Sequence, residues 1–276
     1  MKARCRWYNE GEKNTKYFLN LEKRHYKQGV ISQLKLGNEN FVTTDKEILS
    51  GCETFYKCLH SSNNDVFFGS QTEKRLNLTE QESCEGLLTK TECLNTLKNM
   101  ECNKTPGSDG LPAEFYKVFR NDIADIFLKS INQGYRTGQL SLTQRRGIIK
   151  LIPKKDAEPY LIKNWRPISL LNCDYKIAAK AIANRFKHVL PNLIDSDQPG
   201  FLKGRFIGEN IHLIDGIIKY TAAKNNPGLL LFLDFEKAFD TLEWPFLQKT
   251  LQHYNFGPSA MNWIHLFPWN ACGRPR

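Results

Sequence analysis

An unbroken apolar run followed at once by an acidic residue constrains the fold of this chain more than any other feature. The run extends from Leu229 to Leu233 and reads LLLFL, without the polar alternation of a half-exposed strand. This pattern predicts a strand that is covered on both faces, and the turn signal Pro227-Gly228 before it favours a strand over a longer helix. Asp234 follows directly. Because a carboxylate is costly to desolvate, we expect Asp234 at the strand end, bound either to backbone amides of the next turn or to a metal ion.

The charge of the chain is unevenly distributed. The net charge is +10, and residues 141–210 contain 13 Lys or Arg against 6 Asp or Glu, a net +7. Such a region indicates an acidic partner, with nucleic acid as the first candidate, or an ordinary solvated basic face. With 276 residues, of which 41% are hydrophobic and 12% aromatic, the chain can bury a sizeable core as one large domain or two smaller ones, which excludes a disordered protein.

Cysteine usage and hydropathy bear on the compartment. The 8 cysteines include no CxxC pair, which disfavours a zinc ribbon or knuckle and indicates reduced thiols. The sequence shows neither a signal peptide nor an apolar run of membrane length. We therefore expect a nuclear or cytoplasmic protein with no membrane partner, and the sequence predicts no oligomeric state.

Hydrophobic periodicity predicts a mainly helical chain with a few strands. Thr89 and Glu92 form a capping box that begins one helix, Pro191 is expected to end another, and Gly134 with Gly138 to end a third. The helical ranges are 7–24, 45–59, 89–100, 115–131, 172 or 174 to 190, 209–220 and 243–254, and the further strand ranges are 31–36, 147–153 and 165–169. The basic residues of the helix that ends at 190 are expected on its outer faces, namely Lys176, Lys180, Arg185 and Lys187.

Basic residues surround the loop between two successive strand patterns. Lys154 and Lys155 occupy the tip of this loop and Arg166 lies on the returning strand, a set that suits the phosphates of a nucleoside triphosphate. Lys150 is a further candidate for the lysine of this clamp. Taken singly, Lys154, Lys155 and Arg166 are more typical of ordinary surface charges.

A Gly-rich turn occupies residues 105–110, with the sequence TPGSDG. Such a turn either presents backbone amides to a phosphate or serves as an ordinary loop. The residues of the turn leave both possibilities open.

Several segments together resemble one protein family. The stretch Asp234 to Asp240, DFEKAFD, resembles motif A of reverse transcriptases, most closely that of LINE-type non-LTR retrotransposons. Further segments resemble that family in the same order along the chain: residues 7–24 resemble the linker before the polymerase, 106–117 (PGSDGLPAEFYK) the segment upstream of the fingers, 165–172 (WRPISLLN) the RPISLL motif, and 198–205 (QPGFLKGR) the QxGFxxGR segment.

The resemblance implies a fold and a division of the chain. The expected fold class is α+β, a partial right-hand polymerase with a mostly helical fingers region and the first strand and helix of the palm. The implied segments are an N-terminal helical linker at 1–84, the fingers at 85–225, and an incomplete palm with motif A at 226–276.

The resemblance also implies a metal and nucleotide site. By position, Asp234 and the backbone carbonyl of Phe235 would bind the two Mg²⁺ ions of the family, and oxygen ligands are what such hard cations require. Phe239 would lie beside the sugar of the incoming nucleotide and exclude its 2′-hydroxyl.

Further basic residues acquire roles by the same resemblance. Lys154, Lys155 and Arg166 would hold the nucleotide phosphates. Lys203 and Arg205 would lie near the nucleic acid, which in the family is an RNA template with a DNA primer. Contacts of this kind position nucleic acid without reading its sequence.

One expected element of the family site is absent from the sequence. The family places a second metal-binding pair, [FY]ADD, several tens of residues after motif A, whereas this chain contains no Asp-Asp pair and ends 36 residues after Asp240. We therefore expect a fragment of an RNA-directed DNA polymerase that does not polymerise alone. Two alternatives stay open: a non-catalytic nucleic-acid-binding protein that uses the basic region 141–210, and an unrelated metal-dependent hydrolase that combines Asp234 with Glu236 or Asp240. The hydrolase is disfavoured, because a helical turn after Phe235 would point Asp240 away from Asp234.

Overall fold

The computed structural model describes residues 30–36, 40–59, 73–155, 157–239 and 241–267. These residues form ten α-helices and four strands. In chain order they are β1 (Leu34–Leu36), β2 (Asn40–Val42), α1 (Asp45–Leu59), α2 (Leu78–Ser83), α3 (Lys90–Lys98), α4 (Ala113–Val118), α5 (Arg120–Thr137), α6 (Leu142–Arg145), β3 (Gly147–Pro153), β4 (Trp165–Leu171), α7 (Cys173–Leu193), α8 (Gly208–Ala223), α9 (Trp244–His253) and α10 (Pro258–Leu266). The predicted α+β class is confirmed, and this content is consistent with a partial polymerase fold.

The chain divides into two compact units. Of the described residues, the first contains 30–36, 40–59, 149–155 and 157–169, and the second contains 73–148, 170–239 and 241–267. The three segments implied by the resemblance, with boundaries at residues 84 and 225, were defined by motifs and not by contacts, and this division stays a prediction.

Short strands and one helix build the described part of the first unit. β1 and β2 pair antiparallel with Leu34 opposite Val42, and β3 pairs with β4 in a separate two-stranded sheet. Leu34, Ile48 and Trp165 belong to one apolar cluster, in which the apolar face of α1 is buried. The Trp165 indole also donates a hydrogen bond of 2.7 Å to the carbonyl of Pro159, so the ring is both buried and oriented.

Helices form the core of the second unit. Along α7, the buried residues Ile177, Ala178, Ala181 and Ile182 recur at helical spacing, so one face of this helix packs into the core. α3, α5 and α10 contribute to the same cluster, in which Trp263 of α10 is fully buried. Among the described helices, none is long and apolar enough to cross a lipid bilayer.

The loop between α2 and α3 fastens α10 to this core. The Glu85 carboxylate accepts hydrogen bonds of 2.9 Å from the amides of Ser259 and Ala260, in the first turn of α10. A carboxylate at this position satisfies free amides and complements the helix dipole. The Trp263 indole donates to the Gly86 carbonyl at 2.9 Å. Residues 84–88 and 258–266 are therefore held together although they are far apart in sequence.

Many sequence-based boundaries agree with the structure, and three need correction. The helix predicted at 115–131 is two helices, α4 and α5, which are separated at Phe119. The capping box of Thr89 and Glu92 is present, and the 45–59, 147–153 and 165–169 elements occur at or close to the predicted ranges. Pro191 does not end α7, since the helix continues to Leu193 although the proline nitrogen has no hydrogen to donate within it. Gly134 does not end α5. It lies buried inside that helix, where an added Cβ would be 2.8 Å from Leu140, and Gly138 alone forms the left-handed cap.

The predicted strand at 229–233 is wrong. These residues have no regular secondary structure, and Leu229 and Leu233 are 92% and 84% exposed. A strand needs partners for its amides and carbonyls, and no described strand pairs with this run. The helix predicted at 7–24 lies outside the described residues.

Candidate nucleotide and nucleic-acid site

The motif A stretch is an exposed, irregular segment. Phe235 is 84% exposed, and Lys237 adopts a positive φ of 51°. After it the chain turns, since the amide of Thr241 donates to the Lys237 carbonyl at 3.0 Å. Asp234 therefore lies in an open stretch of chain and not at the end of a buried strand; Asp240 lies outside the described residues.

The described residues do not fit a complete two-ion metal site. Within them, no three His, Cys, Asp or Glu side chains gather into a group that would hold a metal ion. Asp234 and the carbonyl of Phe235 are fewer oxygen ligands than two hard cations require. The same observation leaves the hydrolase alternative without a ligand set in this part of the chain.

Phe239 makes an aromatic contact that the sequence did not predict. Its ring lies edge-on to that of Phe201, with centroids 6.2 Å apart and an interplanar angle of 82°. Phe201 belongs to the QPGFLKGR segment, so the structure brings two of the resembling motifs into contact within the second unit. Aromatic rings favour this perpendicular arrangement because the edge of one ring faces the electron-rich face of the other.

The candidate phosphate clamp lies in the first unit. Lys154 follows β3 directly, and its amide donates to the Asn164 carbonyl at 2.8 Å. Lys154 and Lys155 are exposed after the strand, and Lys150 is exposed within it. On β4, Trp165 is buried and the next residue, Arg166, is exposed, as strand alternation requires. The structure thus brings the predicted basic side chains to the surface around one two-stranded sheet.

Lys203 and Arg205 differ in their surroundings although they are two residues apart. Lys203 is exposed. The Arg205 guanidinium donates hydrogen bonds to the backbone carbonyls that follow the end of α7, including those of Ile194 at 2.9 Å and Gln198 at 2.8 Å. Arg205 is therefore engaged with its own chain.

The 105–110 turn packs against the start of α7. A Cβ on Gly107 would lie 2.5 Å from the amide nitrogen of Asn172 and 2.6 Å from the carbonyl carbon of Leu171. The Asn172 amide group in turn donates to the Thr143 carbonyl at 3.0 Å. Asn172, which is 2% exposed, thus joins this turn to α6. The sequence signals for Asn172 were its place as the last letter of WRPISLLN and its position as one of the two predicted starts of the helix.

Arg185 is a correction to the predicted outer face of α7. Its side chain is 8% exposed and bonds the Glu92 carboxylate through Nε at 2.5 Å and through Nη2 at 2.9 Å. The guanidinium also donates to the carbonyls of Glu85, Gly86 and Leu87, at 3.0, 2.9 and 2.7 Å. These five hydrogen bonds compensate the cost of burying the guanidinium charge. Helical spacing alone did not indicate that Arg185 would be buried.

The pKa of Asp174, near the start of α7, is shifted in the opposite direction to the pKa of Glu92 on α3. Burial raises the pKa of Asp174, although a 2.7 Å hydrogen bond from the amide of Tyr175 partly opposes this. For Glu92, burial alone would raise the pKa, but the bonds from Arg185 and Thr89 bring it below the ordinary value.

Comparison with known proteins agrees with this arrangement of motifs. Residues 152–274 match the family described as reverse transcriptase (RNA-dependent DNA polymerase). The chain is 32% identical over 273 residues to the protein named Transposon TX1 uncharacterized 149 kDa protein of Xenopus laevis, which covers 96% of this chain and 20% of that protein. It is 29% identical over 156 residues to the putative 115 kDa protein in type-1 retrotransposable element R1DM of Drosophila melanogaster, which covers 55% of this chain and 14% of that protein.

These similarities define the class and then the particular family. The class is that of reverse transcriptases, which generally use divalent metal ions and act on nucleic acids. The family predicted from the motifs, the reverse transcriptases of non-LTR retrotransposons, is confirmed, because residues 152–274 match the reverse transcriptase family and both relatives are named as transposon or retrotransposable-element proteins. It spans a fifth or less of the length of these two relatives.

Proposed function

We propose that this chain is the part of an RNA-directed DNA polymerase that grips nucleic acid and the phosphates of the incoming nucleotide, and that alone it binds without polymerising. The observation that carries the proposal is the exposure of Lys154, Lys155 and Arg166 around the β3–β4 sheet, at the positions of the family's phosphate clamp. Lysine supplies a mobile point charge and arginine a planar fork, and both suit phosphate oxygens.

The proposed partners are an RNA template and a DNA primer. Lys203 is exposed in the QPGFLKGR segment, where it is able to meet a backbone phosphate. Such contacts add affinity without reading bases, so binding should show little sequence preference.

The proposed metal is Mg²⁺, with Asp234 and the carbonyl of Phe235 as the share of its ligands that this chain supplies. The described residues do not complete a two-ion site, so we assign no metal-dependent step to them. Phe239 is proposed to lie beside the nucleotide sugar, where a bulky ring excludes a 2′-hydroxyl.

The proposal is tested by binding to single-stranded RNA over a salt series. For the unmodified chain, the logarithm of affinity should fall linearly with the logarithm of salt concentration, with a slope near 0.7 for each phosphate neutralised. Replacing Lys154, Lys155, Arg166 and Lys203 by Ala should remove most of the affinity and flatten the slope.

A control variant removes the same charge elsewhere. Lys57, Lys90, Lys104 and Lys219 are exposed and pair with neighbouring carboxylates. Their fourfold replacement by Ala should weaken binding much less. Equal losses in the two variants would show that net charge, and not the proposed site, drives binding.

A further inference from the structure

A single arginine ties the loop after α7 to the end of that helix. Nη1 of Arg205 donates to the carbonyls of Asp195 and Gln198, the second at 2.8 Å. Nη2 donates to the carbonyls of Ile194 at 2.9 Å and Pro191 at 3.3 Å. One guanidinium thus collects four carbonyls from residues 191–198.

These hydrogen bonds satisfy carbonyls at the C-terminal end of α7. The last four carbonyls of an α-helix have no partner within the helix, and the partial negative charge there favours a cation. Pro191 is one of those last residues in α7, and Ile194 is its cap. A guanidinium has five N–H donors, of which Arg205 uses four on backbone oxygens. A phosphate would have to compete with these four bonds.

The loop that Arg205 holds presents Lys203, which belongs to the proposed site, and Phe201, which contacts that site through Phe239. Lys203 is exposed, and Phe201 is 92% exposed with a positive φ of 64°. The Phe201 ring contacts Phe239 of motif A. A hydrogen bond of 2.9 Å from Asn210 to the Asp197 carbonyl ties the same loop to α8. The loop is therefore a defined structure that connects the end of α7 to motif A.

We propose that Arg205 is a positioning residue that holds this loop on α7. Arg205 then affects nucleic-acid binding through the position of Lys203, and it affects the nucleotide sugar through the Phe201–Phe239 contact. The inference rests on the proposed function and replaces the expectation, drawn from resemblance, that Arg205 itself meets the nucleic acid. The charge of Arg205 then matters less than its forked geometry, because a lysine cannot reach four carbonyls in two directions.

Two pairs of variants separate geometry from charge. If Arg205 is a positioning residue, Arg205→Lys should behave like Arg205→Ala, with RNA affinity reduced by a similar factor in both. For Lys203, whose charge is proposed to meet a phosphate, Lys203→Arg should bind as the unmodified chain does. Lys203→Ala should lower the salt slope by about 0.7, the value of one phosphate contact on a single strand.

Hydrogen exchange provides a readout that does not depend on binding. The amides of Ile194 and Gln198 bond within the turn that Arg205 holds. Their exchange should accelerate about tenfold or more in both Arg205 variants and stay unchanged in both Lys203 variants. The amides of α5, which packs into the core of the same unit, serve as an internal reference for global stability.

The outcomes distinguish this inference from the proposed function. Arg205→Lys that matches the unmodified chain in both exchange and affinity would overturn the positioning role and restore Arg205 as a charge that meets phosphate. If the unmodified chain binds no RNA, the proposed function fails, and the action of Arg205 through Lys203 fails with it. Faster exchange in Arg205→Lys would in that case support only the part of the inference in which Arg205 holds the loop on α7.

Discussion

At the scale of single residues, Gly107 lies against the backbone at the start of α7 with no room for a side chain. The atoms that an added Cβ would meet include the amide nitrogen of Asn172 and the carbonyl carbon of Leu171. Backbone atoms cannot rotate away as a side-chain end can, so the contact holds the 105–110 turn at a set distance from α7. A glycine is needed here because of this close approach and not because of a positive φ.

We predict that Gly107→Ala destabilises the chain by about 1–3 kcal/mol, since the new methyl group must displace backbone. Gly216, in α8, is the matched control, because nothing lies within 4 Å of its would-be Cβ. Gly216→Ala should be neutral or stabilising by up to about 1 kcal/mol, as expected for an exposed helix interior. Urea unfolding of both variants measures the difference. A loss in Gly107→Ala no larger than that in Gly216→Ala would contradict the close fit.

The Arg185–Glu92 pair is a second feature whose contribution to stability depends on single residues. Removing Arg185 leaves the partly buried Glu92 carboxylate with its bonds from Thr89, and it removes a donor from the carbonyls of Glu85 and Leu87, whereas the Gly86 carbonyl keeps its bond from Trp263. We predict that Arg185→Ala costs about 3 kcal/mol of unfolding free energy, near the lower end for such pairs because Glu92 retains some solvent. The exposed pair Lys90–Asp125 is the control, and Lys90→Ala should cost less than about 1 kcal/mol.

The same pair predicts a pH dependence. Because the pKa of Glu92 is lowered in the folded state, its contribution is fully present above its unfolded pKa of about 4.3 and is lost as the pH falls through the lower folded value. Unfolding free energies measured from pH 7 down to pH 3 should therefore decline more steeply in the unmodified chain than in Glu92→Gln. Parallel curves for the two proteins would show that Glu92 carries no such linkage.

At the scale of elements, the region after residue 225 contains two different kinds of structure. Residues 229–235 are irregular and exposed, whereas α10 packs into the core through Ala260 and Trp263. Leu76 and Cys84 join Phe256 in a second apolar cluster. The end of the described chain is thus packed against its middle, and only the intervening segment lies open.

We predict that chymotrypsin cleaves first at the exposed aromatic and leucine residues of 229–239, since exposed irregular chain is the preferred site of nicking. The two fragments should then stay associated through α10 and the loop at 84–88, and should elute together from a sizing column. Weakening the anchor with Glu85→Ala, which removes the cap on the first turn of α10, should promote their separation. Loss of the C-terminal fragment from the nicked, unmodified protein would contradict this account.

Elements whose pattern is local could be predicted from the sequence, and those that depend on distant partners could not. The capping box at Thr89 sets a helix start within four residues, so the sequence contained the whole signal. The run at 229–233 has the composition of a buried strand, but a strand also needs neighbours that composition cannot supply. Arg185 bonds residues up to about a hundred positions away, and Arg205 bonds several carbonyls around a turn. Hydrophobic periodicity predicts neither set of hydrogen bonds.

At the scale of the whole molecule, the proposed functional residues divide between two units. Lys154, Lys155 and Arg166 belong to the first unit, whereas Lys203, Asp234 and Phe239 belong to the second. Binding of nucleic acid needs only exposed cations, which each unit carries by itself. Polymerisation needs more, because attacking and leaving oxygens must be aligned between two ions about 3.5–4 Å apart.

We therefore predict that the isolated chain does not extend a primer on an RNA or DNA template with Mg²⁺ or Mn²⁺. The oxygens supplied at motif A, from Asp234 and the Phe235 carbonyl, are too few to hold both ions, and the described residues contain no group of three metal-ligating side chains. Asp234→Ala should leave RNA affinity unchanged or slightly higher, because it removes a negative charge from a chain whose proposed partner is an anion. Extension assays and salt-dependent binding on the same preparations measure both effects. Extension by the unmodified chain that disappears in Asp234→Ala would show that a complete metal site assembles around Asp234, and the proposal of binding without polymerisation would then be wrong.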